Sequence, residues 1–148
     1  MSPPVSPEST ITLVLADDHT VMRSGLRMLL DAEEGFEVLA EAGDVLAALQ
    51  AVRNHRPDVL VLDLNMPGGS SIDAIRRLAP ISPGTAVVVL TMEEDRAFVR
   101  EALDAGAKGY VQKHAAGRVL VRAIRDALTA QPRSEPWWER APRSGPEF

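Results

Sequence analysis

Between Ile11 and Ala130 the sequence alternates five short apolar runs with longer amphipathic stretches, and this alternation limits the fold most strongly. The first, third and fourth runs are apolar almost throughout, as is typical of strands covered on both faces of a parallel sheet. The pattern predicts an α/β fold with five (βα) units and helices on both faces of a doubly wound sheet. The runs are ITLVLA, FEVLAEA, DVLVLD, AVVVLT and KGYVQ.

The amphipathic stretches have the period of an α-helix. In the second stretch Val45, Ala48, Leu49 and Val52 fall at positions i, i+3, i+4 and i+7, so one face is apolar. The first and fifth stretches carry similar stripes. Those stripes consist of Val21, Met22, Leu26, Leu29 and Leu30, and of Leu120, Val121, Ile124 and Leu128.

Residues that start or stop helices stand where these stretches begin and end. Ser70, followed three positions later by Asp73, predicts the start of the third helix. Pro57 predicts that the second helix has ended before it, and Gly106 predicts the end of the fourth.

The 148 residues suffice for one domain of ordinary size. We expect a disordered N-terminal tail at 1–10, a folded domain at 11–130, and a tail or linker at 131–148, because both ends are rich in Pro and Ser. Trp137 and Trp138 lie in the second tail. They are interpreted either as part of a disordered or docked segment, or as an anchor for a partner.

Composition excludes several classes of function. The absence of Cys rules out disulfides, thiolate metal sites and cysteine nucleophiles. A net charge of -5 leaves no basic surface for nucleic acid, so we expect no direct nucleic acid binding by this segment. No apolar run approaches the roughly 20 residues of a membrane span, and no signal peptide is recognisable. We expect a cytoplasmic protein without a membrane partner.

Polar residues stand at the carboxyl end of four predicted strands. Asp17 and Asp18 follow the first, Asp63 closes the third, Thr91 follows the fourth and Lys113 follows the fifth. In a parallel sheet these ends share one rim, where ligands of such folds bind. Adjacent anions such as Asp17 and Asp18 repel each other by roughly 1 kcal/mol even in water, so we expect a cation nearby.

This set of residues supports phosphoryl transfer. Carboxylates attract Mg²⁺, which also takes phosphate oxygens as ligands. We expect Asp63 to be the nucleophile that forms an acyl phosphate, and the turn after it to offer the Asn65 carbonyl oxygen to the metal. Lys113 would pair with one phosphoryl oxygen, and the Thr91 hydroxyl would donate a hydrogen bond to another.

Four stretches together resemble the receiver domains of two-component response regulators, in particular the NarL/FixJ branch. The resemblance extends from about Ile11 to Ala130 and implies a flavodoxin-like sheet in the order 2-1-3-4-5. It also implies that a sensor histidine kinase phosphorylates Asp63, and that Mg²⁺ is held by Asp18, Asp63 and the Asn65 carbonyl, with Asp17 acting through water. The stretches are LADDHTVMRSGLRMLL, PDVLVLDLNMPGG, VVVLT and ALDAGAKGYVQK.

The resemblance further implies a switch. Thr91 and Tyr110 would form the coupled pair that responds to the acyl phosphate and changes affinity for a partner. A homodimer would form through helices 1 and 5, or through the face of helix 4, strand 5 and helix 5. Relatives of this branch control transcription through a helix-turn-helix domain after the receiver, so this chain is either a stand-alone receiver or part of a longer regulator.

Three residues depart from the family pattern. Ser71 stands where the family usually has Gly, and Gly69 where a larger residue is common, so we expect the loop after Asp63 to follow a path of its own. Met92 follows Thr91 where many relatives carry a small residue. We expect its side chain to shield the phosphoryl group from water and to lengthen the lifetime of the acyl phosphate.

The candidate site residues also have purely structural interpretations. Asp18 and Thr91 are typical helix caps, Lys113 alone is typical of a solvated lysine, and Tyr110 of sheet packing. His19, His55 and His114 share no helix face and no ligand spacing, so all three are interpreted as surface histidines.

Two other functions are alternatives to the switch. A metal-dependent aspartyl-phosphate phosphatase would have two aspartates separated by one residue, whereas Asp17 and Asp18 are contiguous. A receiver-like module that binds partners without phosphorylation is disfavoured because every reactive position is filled. We therefore expect a protein that catalyses only its own phosphorylation and dephosphorylation.

Overall fold

The computed structural model describes residues 10–92 and 96–129. The strands are β1 (Ile11–Ala16), β2 (Phe36–Ala42), β3 (Val59–Asp63), β4 (Ala86–Thr91) and β5 (Gly109–Gln112). The helices are α1 (Thr20–Ala32), α2 (Val45–His55), α3 (Ser71–Ile81), α4 (Arg96–Ala105) and α5 (Ala116–Leu128), with a 3₁₀ turn at Lys113–Ala115. Residues 1–9 of the predicted N-terminal tail and the predicted tail or linker at 131–148, with Trp137 and Trp138, lie outside the described residues.

The strands form one parallel sheet in the order β2-β1-β3-β4-β5, which confirms the predicted flavodoxin-like arrangement. β3 and β5 each begin one residue later than predicted. Asp58, directly before β3, binds β1 through its side chain. Its Oδ2 accepts hydrogen bonds from the Thr12 N–H at 2.9 Å and the Thr12 hydroxyl at 3.2 Å. This pair joins β1 and β3 at the end of the sheet opposite the predicted rim.

Helices cover both faces of the sheet. Alternate strand residues point to opposite faces, so the apolar residues of β3 divide between two core clusters. On one face Leu60 and Leu62 pack with α2, α3 and α4, and on the other Val59 and Val61 pack with α1 and α5. Burial of each large apolar side chain stabilises the fold by about 1.5–3 kcal/mol.

The helix ends follow the local sequence in three places. Ser70 Oγ accepts the Asp73 N–H at 3.1 Å, as predicted for the start of α3. Gly106 ends α4 with φ of 127°, a conformation that favours glycine. α2 ends at His55, where the left-handed Arg56 (φ 46°) donates its N–H to Val52 O before Pro57.

The start of α1 differs from the alternative interpretation of Asp18 as a helix cap. The residue before the helix is His19, and its side chain makes no capping hydrogen bond. The side chains of Asp18 and His19 therefore do not cap α1. Among the helices of residues 10–92 and 96–129, none has the length and apolarity needed to cross a lipid bilayer.

Candidate functional site

The carboxyl ends of β1, β3 and β5 bring three charged side chains into direct contact. Lys113 Nζ lies 3.1 Å from Asp17 Oδ1 and 2.9 Å from Asp63 Oδ2. Asp17 and Asp63 have no exposed surface, and Lys113 is 4% exposed. These residues are 96 and 50 positions apart in sequence, so the sheet alone brings them together.

The backbone around Asp63 is fixed on both sides of its side chain. Asp63 is the last residue of the buried strand β3, and its Oδ1 accepts the Asn65 N–H at 2.9 Å. The Ser71 hydroxyl, at the start of α3, donates a hydrogen bond of 2.9 Å to the Asp63 carbonyl oxygen. The carboxylate therefore sits between a backbone donor on one oxygen and the Lys113 ammonium on the other.

The loop after Asp63 packs against the start of α2. The Val45 N–H donates to the Pro67 carbonyl oxygen at 3.0 Å. Gly68 has φ of 94°, and a Cβ placed there would lie 3.2 Å from the Val45 nitrogen. Gly69 follows with φ of 130°. The turn that carries Asn65 thus depends on a glycine at position 68, both for backbone conformation and for space.

Two buried carboxylate oxygens of the site have no hydrogen-bond partner among the described residues. They are Asp17 Oδ2 and Asp18 Oδ1. Asp17 Oδ1, by contrast, accepts both the His19 N–H and a Lys113 hydrogen. An unpartnered buried carboxylate oxygen is costly, and a bound cation removes that cost. The donor set of Asp17, Asp18 and Asp63 therefore fits a hard divalent cation.

Arginines of α1 tie this rim to the edge strand β2. Arg23 Nη1 donates to the Asp17 carbonyl oxygen at 2.7 Å, and Arg23 Nε to Glu41 at 2.9 Å. Arg27 also donates to Glu41, at 2.8 Å. The hydrogen bond between Arg27 and Asp31, supported by Glu41, raises the pKa of the Arg27 guanidinium above its ordinary value. The backbone of Asp17 is thus held from the outside of the sheet.

Thr91 and Tyr110 lie on neighbouring strands. Thr91 ends β4 and is buried, and Tyr110 is a partly buried residue of β5. Tyr110 pairs with Val89, two residues before Thr91, so both residues belong to the same sheet face. Met92, directly after Thr91, is 52% exposed.

His19 is exposed, as predicted for a surface histidine, but its ring also contacts the buried site. Its side chain is 50% exposed, but its Nδ1 lies 2.8 Å from Lys113 Nζ and 3.2 Å from Asp17 Oδ1. Helical spacing could not reveal this contact, because His19 precedes α1 with an extended backbone (φ −86°, ψ 105°). The sequence feature that indicates this contact is the position of His19 directly after Asp17 and Asp18. His55 and His114 are exposed and do not belong to the cluster of possible metal ligands.

Comparison with known proteins decides the family. The sequence profile of the response regulator receiver domain matches residues 13–125. This chain belongs to the response regulator receiver domain family. Receiver domains are signalling switches rather than classical enzymes, which speaks against the phosphatase alternative.

Named relatives place the receiver domain in the NarL-like branch, as its sequence predicts. It is 43% identical over 114 residues to the oxygen regulatory protein NreC of Staphylococcus epidermidis, covering 76% of this chain and 52% of that protein. NreC of Staphylococcus haemolyticus is 42% identical over the same shares. The receiver domain thus spans about half the length of the curated relatives it matches.

Solved structures give the same assignment. A LuxR-family two-component response regulator from Aurantimonas sp. has a TM-score of 0.80 at 35% identity, covering 89% of this chain and 94% of that one. The signal receiver domain of the putative response regulator NarL from Mycobacterium tuberculosis has a TM-score of 0.78 at 29% identity, covering 83% of this chain and 99% of its own. The chain is a receiver domain of NreC- and NarL-type response regulators.

Proposed function

We propose that this receiver domain is switched by phosphorylation of Asp63 and that a sensor histidine kinase supplies the phosphoryl group. The observation that carries the proposal is the position of the Asp63 carboxylate. It closes a buried strand, with the Asn65 N–H on Oδ1 and the Lys113 ammonium on Oδ2. A carboxylate fixed in this way needs little reorganisation to attack phosphorus.

The transfer replaces one bond to phosphorus by another. An Asp63 oxygen forms the new O–P bond while the P–N bond of the phosphohistidine breaks. The electron pair of that bond stays on the imidazole nitrogen of the kinase, which takes up a proton. Lys113 Nζ, already 2.9 Å from Asp63 Oδ2, is within reach of a phosphoryl oxygen on that carboxylate and neutralises part of its charge.

Access to Asp63 requires a local movement, because its side chain has no exposed surface. The half-exposed ring of His19, with Nδ1 3.9 Å from Asp63 Oδ2, is the neighbour that we propose moves aside. Side-chain rotation at the surface is fast compared with phosphoryl transfer, so this movement does not limit the reaction.

We assign the cation site to Asp18, Asp63 and the Asn65 carbonyl oxygen as direct ligands of Mg²⁺, with Asp17 acting through water. The unpartnered oxygens of Asp17 and Asp18 support this assignment. When bound, Mg²⁺ supplies positive charge that offsets the charge of the phosphoryl group.

The proposed response starts at Thr91, whose hydroxyl donates a hydrogen bond to the phosphoryl group, and Tyr110 follows. Both residues lie on the sheet face that packs against α2, α3 and α4. A bias of a few kcal/mol between two conformations suffices to change affinity for a partner.

In the whole protein the switch would control transcription, with this segment at 11–130 making no nucleic acid contact of its own. The support comes from relatives: one neighbour at 31% identity is RcsB of Salmonella enterica bound to promoter rprA in the presence of phosphomimetic BeF₃⁻. A homodimer of the phosphorylated form is part of this proposal. In this proposal 1–10 is an N-terminal tail, 131–148 is a tail or a linker to an output domain, and the protein acts in the cytoplasm.

The proposal is tested by incubation with acetyl phosphate and Mg²⁺, followed by intact mass measurement. We expect one phosphoryl group per chain, and none on Asp63→Asn. The control is Asp104→Asn, an exposed aspartate of α4 outside the site, which loads like the parent. Steady turnover of p-nitrophenyl phosphate that is lost in Asp63→Asn would favour a phosphatase instead. No loading of the parent would favour a module that binds partners without phosphorylation.

A further inference from the structure

The imidazole of His19 belongs to the proposed cation site by position, although the assigned Mg²⁺ ligands do not include it. His19 directly follows Asp18, and its N–H donates to Asp17 Oδ1 at 2.9 Å. This bond and the extended backbone at His19 bring the ring back over the rim. The described residues contain one cluster of possible metal ligands, formed by Asp17, Asp18, His19 and Asp63, with all ligand atoms within 4.8 Å of one another.

The lone pair of His19 Nδ1 points into the site. Lys113 Nζ lies 2.8 Å from Nδ1, and an ammonium group can only donate hydrogen bonds. In this contact Nδ1 is the acceptor, which corresponds to the tautomer with the ring proton on Nε2. A neutral imidazole nitrogen with its lone pair toward a group of carboxylates is the form of histidine that binds metals.

The spacing around Nδ1 matches the coordination sphere of a small divalent ion. Nδ1 lies 3.2 Å from Asp17 Oδ1, 3.5 Å from Asp18 Oδ1 and 3.9 Å from Asp63 Oδ2. Around an ion with ligands at about 2.1 Å, neighbouring ligand atoms of an octahedron are about 3.0 Å apart and opposite ones about 4.2 Å. The three separations are of this order, so they are compatible with one ion that contacts Nδ1 and a carboxylate oxygen in place of the Lys113 ammonium.

A second observation points to a cation independently of this spacing. Asp17 is fully buried, yet its Oδ2 has no hydrogen-bond partner among the described residues, and neither has the buried Oδ1 of Asp18. The site thus offers two carboxylate oxygens without a hydrogen-bond partner beside His19 Nδ1.

We propose that His19 Nδ1 is a ligand of this site for first-row transition cations, which makes the site prefer Mn²⁺, Co²⁺ and Zn²⁺ over Mg²⁺. Imidazole suits transition cations, whereas Mg²⁺ takes oxygen ligands almost exclusively. The inference deepens the proposed function, because it assumes that the cation site of the phosphorylation reaction lies here.

The same geometry makes a transition cation compete with Lys113. Nδ1 has one lone pair, so it cannot accept a hydrogen from Lys113 and bind an ion at the same time. Lys113 has two further acceptors, Asp17 Oδ1 at 3.1 Å and Asp63 Oδ2 at 2.9 Å. An ion can therefore bind Nδ1 only if Lys113 Nζ, which lies 2.8 Å from that nitrogen, moves away from it.

The test measures cation binding and nitrogen ligation separately. At about pH 8, where a free imidazole is neutral, calorimetry gives the affinities for Mg²⁺ and Co²⁺, and electron spin-echo modulation of bound Mn²⁺ reports imidazole ¹⁴N coupling. We expect ¹⁴N coupling in the parent. His19→Ala should lower Co²⁺ affinity by at least about tenfold and leave Mg²⁺ affinity within about twofold.

His19→Asn is the second variant, since its amide oxygen replaces Nδ1 as an acceptor for Lys113 but provides no imidazole nitrogen. It should fold like the parent and show no ¹⁴N coupling. His55→Asn, an exposed histidine at the end of α2, is the matched control and should retain the coupling. Coupling that persists in His19→Asn, or that is absent from the parent, would overturn the proposal.

Acetyl phosphate loading of the same samples separates the two proposals. A parent that is phosphorylated with Mg²⁺ but shows no ¹⁴N coupling contradicts only the role of His19. A parent that binds no divalent cation and accepts no phosphoryl group contradicts the proposed function as well.

Discussion

Lys113 shows at the scale of one residue how the site is held together. Its ammonium group has three hydrogens, and the structure provides three acceptors, on Asp17, His19 and Asp63. Burial of an ammonium ion is costly unless every hydrogen is paired and the neighbouring charges compensate it. Lys113 meets both conditions and keeps two buried carboxylates close to each other at the same time.

This arrangement predicts that Lys113→Met destabilises the protein and that a divalent cation reverses part of the loss. Removal of the ammonium leaves Asp17 and Asp63 buried without their shared cation, which costs about 3 kcal/mol in the free energy of unfolding. Urea unfolding with EDTA and with excess Mg²⁺ measures both effects. Lys108→Met, at an exposed lysine, is the control and should behave like the parent. An equal loss with and without Mg²⁺ would contradict this account.

At the scale of elements, the sequence predicts the strands and the edge of the sheet where their carboxyl ends meet. Parallel strands are buried on both faces, so the runs at β1, β3 and β4 are apolar throughout, and the residues that follow them must meet at one edge. The order of the strands follows from the family resemblance and not from the apolar pattern. The contact of His19 with Lys113 could not be predicted, because it depends on the backbone and ring torsions of one residue outside any periodic element.

In the turn after β3, stability should depend on Gly68. Gly68→Ala should destabilise the protein by about 1–3 kcal/mol, because φ of 94° is strained for alanine and the new Cβ would lie 3.2 Å from the Val45 nitrogen. The loss appears as a lower urea midpoint with an unchanged slope.

Gly25→Ala is the matched control for the turn. Gly25 lies inside α1, nothing lies within 4 Å of the position of its Cβ, and alanine there should stabilise the helix by about 0.5–1 kcal/mol. If both substitutions shift the midpoint in the same direction, the conformation of Gly68 is not what limits stability.

At the scale of the whole molecule, the two faces of the sheet are covered by different helices. The face with α2, α3 and α4 also carries Thr91 and Tyr110, the residues assigned to the switch. The other face is covered by α1 and α5, which contact each other and bury Leu26, Leu30, Leu120 and Ile124. Large apolar residues are nevertheless exposed on the outer surface of this helix pair, among them Val21 at 86% and Met28 at 73%.

The helix pair α1 and α5 is one of the two dimer surfaces that the family resemblance implies, and Met28 tests it. Dimerisation through this pair would bring the apolar side chains of two copies together, so Met28→Glu should place like charges in the interface and prevent the dimer of the phosphorylated protein. Analytical ultracentrifugation with and without acetyl phosphate measures the association, and intact mass shows that loading of Asp63 is unchanged.

Leu46→Glu introduces the same charge at an apolar residue of α2 that is 60% exposed, and it should leave the dimer intact. Dimerisation that survives Met28→Glu would instead assign the interface to the face of α4, β5 and α5.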